Sequence, residues 1–210
     1  MREAGRLTLS YVTYYTLRMI STLDALLLFL VGIKSQSGYD IRQVFLSTPL
    51  GLFSDSPGAI YPALARLEKN GLLSAVVEPG GRRKRVFELT VAGQTALDGW
   101  LRQPVTAESV KRRQVELDLR YVLTGISLGD AAARRLLHDY VRAYDHEIKT
   151  VEAYCAGPGK TQPAASRQVL ALGLRLQRTR RDWANEILDG GSDEDETRMD
   201  HVDMGGGHPG

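Results

Sequence analysis

Residues 54–93 read SDSPGAIYPALARLEKNGLLSAVVEPGGRRKRVFELTVAG. The stretch opens on three good helix caps, Ser54, Asp55 and Ser56, followed by Pro57 at a first-turn position where a missing N–H is tolerated. Ile60, Ala63, Leu64 and Leu67 then recur at helical spacing and predict one buried stripe. Tyr61, Pro62, Ala65, Arg66 and Lys69 fall on the opposite face, which holds two cations and no acid. Asn70-Gly71 predicts a left-handed helix stop. Residues 73–78 and 85–89 have strand character around the turn Pro79-Gly80-Gly81, which predicts a hairpin. Arg82, Arg83, Lys84 and Arg85 put four consecutive cations at its tip and the start of its second strand. A helix of recognition size followed at once by a basic-tipped hairpin is the outline of a winged helix.

Outward from this stretch, residues 1–18 match no clean period and are expected to be an N-terminal arm, in which Met19 is a candidate start. A nearly all-apolar helix is expected over 23–34 with Thr22 as its cap, and a second over 38–46 capped by Ser37. On the second, Tyr39, Ile41, Val44 and Phe45 are expected to face inward and Arg42 outward. After the hairpin, Thr90 is expected to cap a helix over 91–102 with Ala92, Ala96, Leu97, Trp100 and Leu101 on one side. Gln103-Pro104-Val105 reads as a domain boundary, which makes 19–103 the winged helix-turn-helix domain. Beyond it the strand signals stop. Helices are expected over 108–124, 130–154 and 164–188, and together they form a helical domain over 106–188. Its apolar stripes exceed what so few helices can bury among themselves, so a second copy of the chain is the expected partner. Val115, Leu119, Val122, Leu172, Leu176, Trp183 and Ile187 are the expected dimerisation residues. Residues 189–210, acidic and then Gly-rich, are expected to be a disordered tail. The fold class is mainly α: a winged helix-turn-helix with a two-stranded β wing plus a C-terminal helical dimerisation domain.

Charge supports this division. The chain of 210 residues has a formal charge of +2, with 27 Lys+Arg against 25 Asp+Glu. Residues 1–105 carry +4, residues 106–188 another +4, and the tail −6. A basic body is compatible with nucleic acid. The single Cys155 rules out an intrachain disulfide and fits a reducing cytoplasm. The apolar run over 23–33 is too short to span a bilayer and contains Asp24, so no membrane role is expected. No catalytic set, phosphate loop or paired-Cys motif is present, and an enzyme is not expected. His138 and His146, with Asp139 and Asp145, offer a surface metal cluster only on a face that reads better as solvated helix; no metal or cofactor is expected.

Several segments together resemble the PadR family of transcriptional regulators, in its larger form with a helical C-terminal domain. These are Ser37-Gly38-Tyr39-Asp40-Ile41, Pro57-Gly58-Ala59-Ile60-Tyr61-Pro62-Ala63-Leu64, Arg66-Leu67-Glu68-Lys69-Asn70-Gly71-Leu72, Gly80-Gly81-Arg82 with Lys84, and Leu89-Thr90-Val91-Ala92-Gly93. Val115-Glu116-Leu117-Asp118-Leu119 and Trp183 resemble the family's C-terminal part more diffusely. The chain departs from the family wing at Arg83, where proline is usual, and at Val86 and Phe87, where a tyrosine pair is usual. The extra arginine is expected to raise phosphate affinity, while the tyrosine hydroxyls are lost.

The resemblance implies a homodimeric regulator, a repressor, bound to a palindromic site on double-stranded DNA. The candidate DNA-facing residues are Ser37, Tyr39 and Arg42, then Ser56, Gly58, Tyr61, Pro62, Arg66 and Lys69, then Arg82, Arg83, Lys84 and Arg85 of the wing. Tyr61 is either an aromatic at the core edge or, as the resemblance implies, a phosphate contact. Arg66 has the alternative of pairing with an acid on its own helix. The resemblance also implies a small aromatic or planar effector, for which Trp100 is the candidate ligand-binding residue; filling a seam is its plainer role. A winged-helix protein–protein module and a small-molecule carrier without DNA binding are the readings from other classes.

Overall fold

A computed structural model describes residues 20–54, 56–77 and 85–199, the last nine of these in backbone only. The expected arm over 1–18, Asp55, the wing-tip cations Arg82, Arg83 and Lys84, and residues 200–210 lie outside the described residues. The chain divides into two compact units, Met1–Gln103 and Pro104–Gly210.

In the first unit, α1 (Thr22–Ile33) is buried nearly all round. Its cap is Ser21, not Thr22: the Ser21 hydroxyl accepts from the Asp24 N–H while Asp24 accepts from the Ser21 N–H, a reciprocal capping box. Ser37 and Asp40 repeat the device at the start of α2 (Gly38–Ser47). Tyr39, expected to face inward, is instead exposed, while Ile41 and Phe45 are buried. A 3-10 turn, Pro49–Leu52, leads to α3 (Pro57–Lys69), whose buried side is Ile60, Ala63, Leu64 and Leu67.

The end of α3 is a Schellman stop. Gly71 N–H donates to Glu68 C=O and Leu72 N–H to Leu67 C=O, both at 2.9 Å, with Gly71 at φ +71°. β2 (Leu73–Val77) and β3 (Arg85–Leu89) then pair antiparallel, Leu73 opposite Leu89 and Val77 opposite Arg85. A short β1 (Gln36–Ser37), read from the sequence as part of a turn, pairs with the other edge of β3 and gives the order β1-β3-β2. Two residues show no period, which is why it was illegible. α4 (Val91–Leu101) buries Gly93, Ala96, Leu97, Trp100 and Leu101. Ala92, expected on that side, is exposed, and Gly93 takes its place.

In the second unit, the helix expected over 108–124 is two helices, α5 (Ala107–Arg112) and α6 (Gln114–Leu128), broken at Arg113. No proline or glycine marks the break. The Gln114 side-chain amide donates to the Val110 carbonyl at 3.1 Å, in place of a continuous backbone bond. Gly129 at φ +80° turns the chain into α7 (Asp130–Ala156). A 3-10 turn, Pro158–Thr161, leads to α8 (Ala164–Met199), which runs on past the expected end at Leu188. Val110, Leu117, Leu136, Tyr140, Tyr144 and Ile148 form the unit's main core. Lys111 Nζ reaches the buried Glu147 carboxylate at 2.9 Å and fastens α5 to α7.

Candidate nucleic-acid interface

The outer face of α3 carries Tyr61, Pro62, Ala65, Arg66 and Lys69, all exposed, with Ser56 and Gly58 exposed at its start. Pro62 has no N–H to donate, so the Gly58 carbonyl is left without its helical partner on this open face. Tyr61 is 43% exposed, and its ring lies against the start of α2. A Cβ on Gly38 would come within 2.8 Å of Tyr61 Cε1 and 3.3 Å of Leu64 Cδ1. Gly38 therefore lets α2 meet α3 closely, and that contact sets the aim of the tyrosine.

The cations on this face differ in what they are free to do. Arg66 Nη2 donates to Asp24 Oδ1 at 2.5 Å, joining α3 to the buried carboxylate of α1. The expected alternative for Arg66, an acid on its own helix, is thus realised with an acid on another. Arg85 pairs with Glu68 of α3, and its guanidinium lies 5.6 Å over the Phe87 ring. Arg85, the one wing cation among the described residues, is therefore compensated within the unit. Lys69 is exposed at the end of α3. Arg42 is half-buried on α2, and its Nε finds no hydrogen-bond partner. Ser37 is buried, with its hydroxyl donated to Asp40 Oδ2 at 2.8 Å. Its hydroxyl is thus spent on the cap.

The wing is held to the helix by the Thr90 side chain. Its hydroxyl contacts the Gly71 and Leu72 carbonyls at 2.7 and 3.0 Å, and it accepts from the Gly93 N–H at 3.0 Å. Gly93 leaves no room for a side chain, because a Cβ there would sit 2.1 Å from the Leu72 carbonyl oxygen. The arrangement fixes the exit of α3, the start of β2 and the start of α4 against each other. The base of the strand pair is thereby fixed beside an exposed helix.

The other expected residues are scattered. Trp100 is 2% exposed. Val115, Val122, Leu172 and Leu176 are each more than half exposed, as are Ile126 and Val169, which extend the same two stripes. Leu119 is buried within its own chain, and Ile187 packs toward Leu137, Ala184 and Leu188. Trp183 meets Tyr121 edge-on at 5.5 Å. Among the described residues no group of three potential metal ligands gathers, and no helix is long and apolar enough to cross a membrane.

Residues 27–99 match the family described as the transcriptional regulator PadR-like family. Solved structures similar to the chain include a PadR-like regulator of Bacillus cereus, 19% identical over 82% of this chain and 99% of that one, with a TM-score of 0.35. Bacillus subtilis PadR in complex with operator DNA is 25% identical over 81% and 98%, with a TM-score of 0.37. The same protein in complex with p-coumaric acid is 25% identical over 80% and 98%, with a TM-score of 0.36. No curated protein matches the chain.

Proposed function

We propose that this protein binds double-stranded operator DNA as a homodimer and acts as a repressor, a reading supported by the match of residues 27–99 to the transcriptional regulator PadR-like family. The observation that carries the reading is the open face of α3, with Tyr61, Pro62, Ala65 and Lys69 beside a hairpin fastened by Thr90 and Gly93. A helix so presented fits the major groove, which is wide enough for one helix. Lys69 and the wing cations Arg82, Arg83 and Lys84 neutralise phosphates, and Tyr61 donates its hydroxyl to one. Pro62 and Ala65 offer only apolar contact, which suits thymine methyl groups and local shape more than hydrogen-bond patterns. Arg66 acts mainly through Asp24, setting the angle at which α3 leaves the unit.

The dimer rests on the second unit. Val169, Leu172, Leu176 and Trp183 on α8 stand at the spacing of a self-associating helix seam, and Val115, Val122 and Ile126 make a parallel stripe on α6. Second copies of the same stripes cover them by two-fold symmetry, and a two-fold dimer reads a palindrome with half-sites about one turn, ~34 Å, apart.

A small planar effector is the regulatory part of the proposal. Trp100 is buried in the free chain, so a ring stacks on it only by displacing what covers it. Release follows only if the ligand prefers the DNA-incompetent state, since equal affinity for both shifts nothing. The test of the whole reading is binding to sequenced genomic fragments at rising salt. Retention of a palindromic subset, with a steep loss as salt rises, is expected. No retention at low salt overturns DNA binding and leaves a protein-binding winged module.

A further inference from the structure

The exposed face of α3 carries the two residue types that helices tolerate least. Gly58 and Pro62 stand one turn apart, and both are exposed. Packing within the unit calls for neither. Among the described residues a Cβ on Gly58 would meet only Ser56 Oγ, at 3.4 Å, an ordinary contact. Gly58 is not at positive φ, so its backbone does not demand glycine either. Pro62 lies away from Ile60, Ala63, Leu64 and Leu67, the residues that fill the core.

What the pair changes is the hydrogen bonding of the backbone. The Gly58 carbonyl would accept from the N–H of residue 62, and proline has none. The proline ring also crowds that carbonyl, while glycine at 58 leaves no side chain over the backbone beside it. One acceptor therefore stands open in the first turn of α3, on the face that carries Tyr61, Ala65 and Lys69. We propose that the Gly58 carbonyl oxygen reads one base pair directly, by accepting a hydrogen bond from an exocyclic amino group in the major groove. This rests on DNA binding by α3 and adds to it a position of sequence discrimination.

The chemistry selects the base. Donors on the major-groove edge occur only at cytosine N4 and adenine N6; guanine O6 and N7 and thymine O4 are acceptors and repel a carbonyl. The neighbouring side chains do not supply this discrimination, because Pro62 and Ala65 are apolar and Arg66 is held by Asp24. Position agrees as well. Gly58 is the second residue of α3, and the N-terminal residues of a recognition helix are those that reach base edges. A missing side chain at 58 lets the backbone come close enough to do so.

The test uses the full chain and a palindromic duplex from the genomic fragments it retains. Within one half-site, each adenine is replaced in turn by purine and each cytosine by 2-pyrimidinone, analogues that lack only the amino group. Competition anisotropy gives the affinities. At one position the loss is expected to be about three- to tenfold, the contribution of one neutral hydrogen bond. Which analogue causes it tells adenine from cytosine. Pro62→Ala returns an N–H to the Gly58 carbonyl. That variant is expected to melt at a higher temperature, to keep its affinity for unrelated DNA and to lose the analogue effect at that position alone. Gly58→Ala is expected to keep the fold and to weaken the operator severalfold while sparing unrelated DNA. A Pro62→Ala protein that still loses as much affinity with the same amino group would overturn the reading, and so would a wild-type chain indifferent to every analogue. In both cases operator binding itself survives, whereas a chain that binds no duplex at low salt fails on both counts.

Discussion

Arg66, on the exposed face of α3, is tied by its Nη2 to Asp24 Oδ1 at 2.5 Å, a carboxylate 42 residues earlier and almost wholly buried in α1. Asp24 also accepts from the Ser21 N–H at 3.0 Å. One carboxylate thus caps its own helix and anchors the helix offered to DNA. Asp24→Asn keeps the shape and part of the cap but loses the charge. Because Arg66 is half-exposed and regains water, the loss of stability is expected to be about 1–2 kcal/mol rather than the larger penalty of a fully buried pair. Urea unfolding reads this directly, and DNA affinity should fall together with it.

Glu68 and Arg85 form the second clip, between α3 and the base of the wing. Glu68 is an acid beside the phosphate-facing surface and also occupies a cation. Glu68→Gln is expected to release Arg85, to raise DNA affinity severalfold at low salt and to steepen the salt dependence by up to about one unit per wing. Alanine at Arg82, Arg83 and Lys84 together should weaken all sequences alike and flatten that slope. Fluorescence anisotropy across a salt series separates the cases, and a slope indifferent to both changes would remove the wing from the interface.

The helices and the hairpin strands of the winged unit were legible, unlike the two-residue β1, because the helix around Tyr61 and its neighbours were marked by more than one signal. Ile60, Ala63, Leu64 and Leu67 repeated at helical spacing, Asn70-Gly71 marked the stop, and Thr90 marked the next start; all stand there in the structure. Pairing across long sequence distance was not legible. Nothing local to Arg66 names Asp24, and nothing local to Arg85 names Glu68, so a list of exposed cations overstated the free charge. Ser37 stands as the cap the sequence predicts, but its burial was not legible: a serine before a helix signals a cap and a surface hydroxyl equally, and only burial separates them. The burial of Arg120 on the inner face of α6 was not legible either, because a period search registers apolar residues and passes over a cation. The break at Arg113 was hidden because the apolar period runs through it.

Two glycines at the interface should respond differently to alanine. At Gly38 the added methyl meets the Tyr61 ring, while the backbone gains up to about 1 kcal/mol of helix propensity. Stability is then expected to change little, while DNA affinity falls as Tyr61 is turned. Tyr61→Phe, which removes only the hydroxyl, should cost about 0.5–1.5 kcal/mol of binding. At Gly93 the methyl meets a backbone carbonyl that cannot move without parting β2 from α4. Gly93→Ala is expected to destabilise the fold by about 3 kcal/mol. Paired thermal melts and anisotropy titrations distinguish loss of aim from loss of fold.

The expected dimer residues fall into two groups that mutation can tell apart. Val122 and Leu172 are 52% and 55% exposed, so Val122→Glu with Leu172→Glu removes nothing that holds one chain together. The double variant is expected to keep its helical circular dichroism, to scatter light as a monomer at micromolar concentration and to lose most affinity for a full palindrome while still binding a half-site weakly. Leu119 is 8% exposed and Ile187 packs against its own chain, so alanine there should lower the stability of each chain, by about 2–5 kcal/mol at Leu119, without selectively dissociating the pair. If the α6 and α8 stripes are the seam, mass changes in the first variant and melting temperature in the second. A dimer that survives both glutamates, measured by light scattering across a dilution series, would place the contact elsewhere on the second unit.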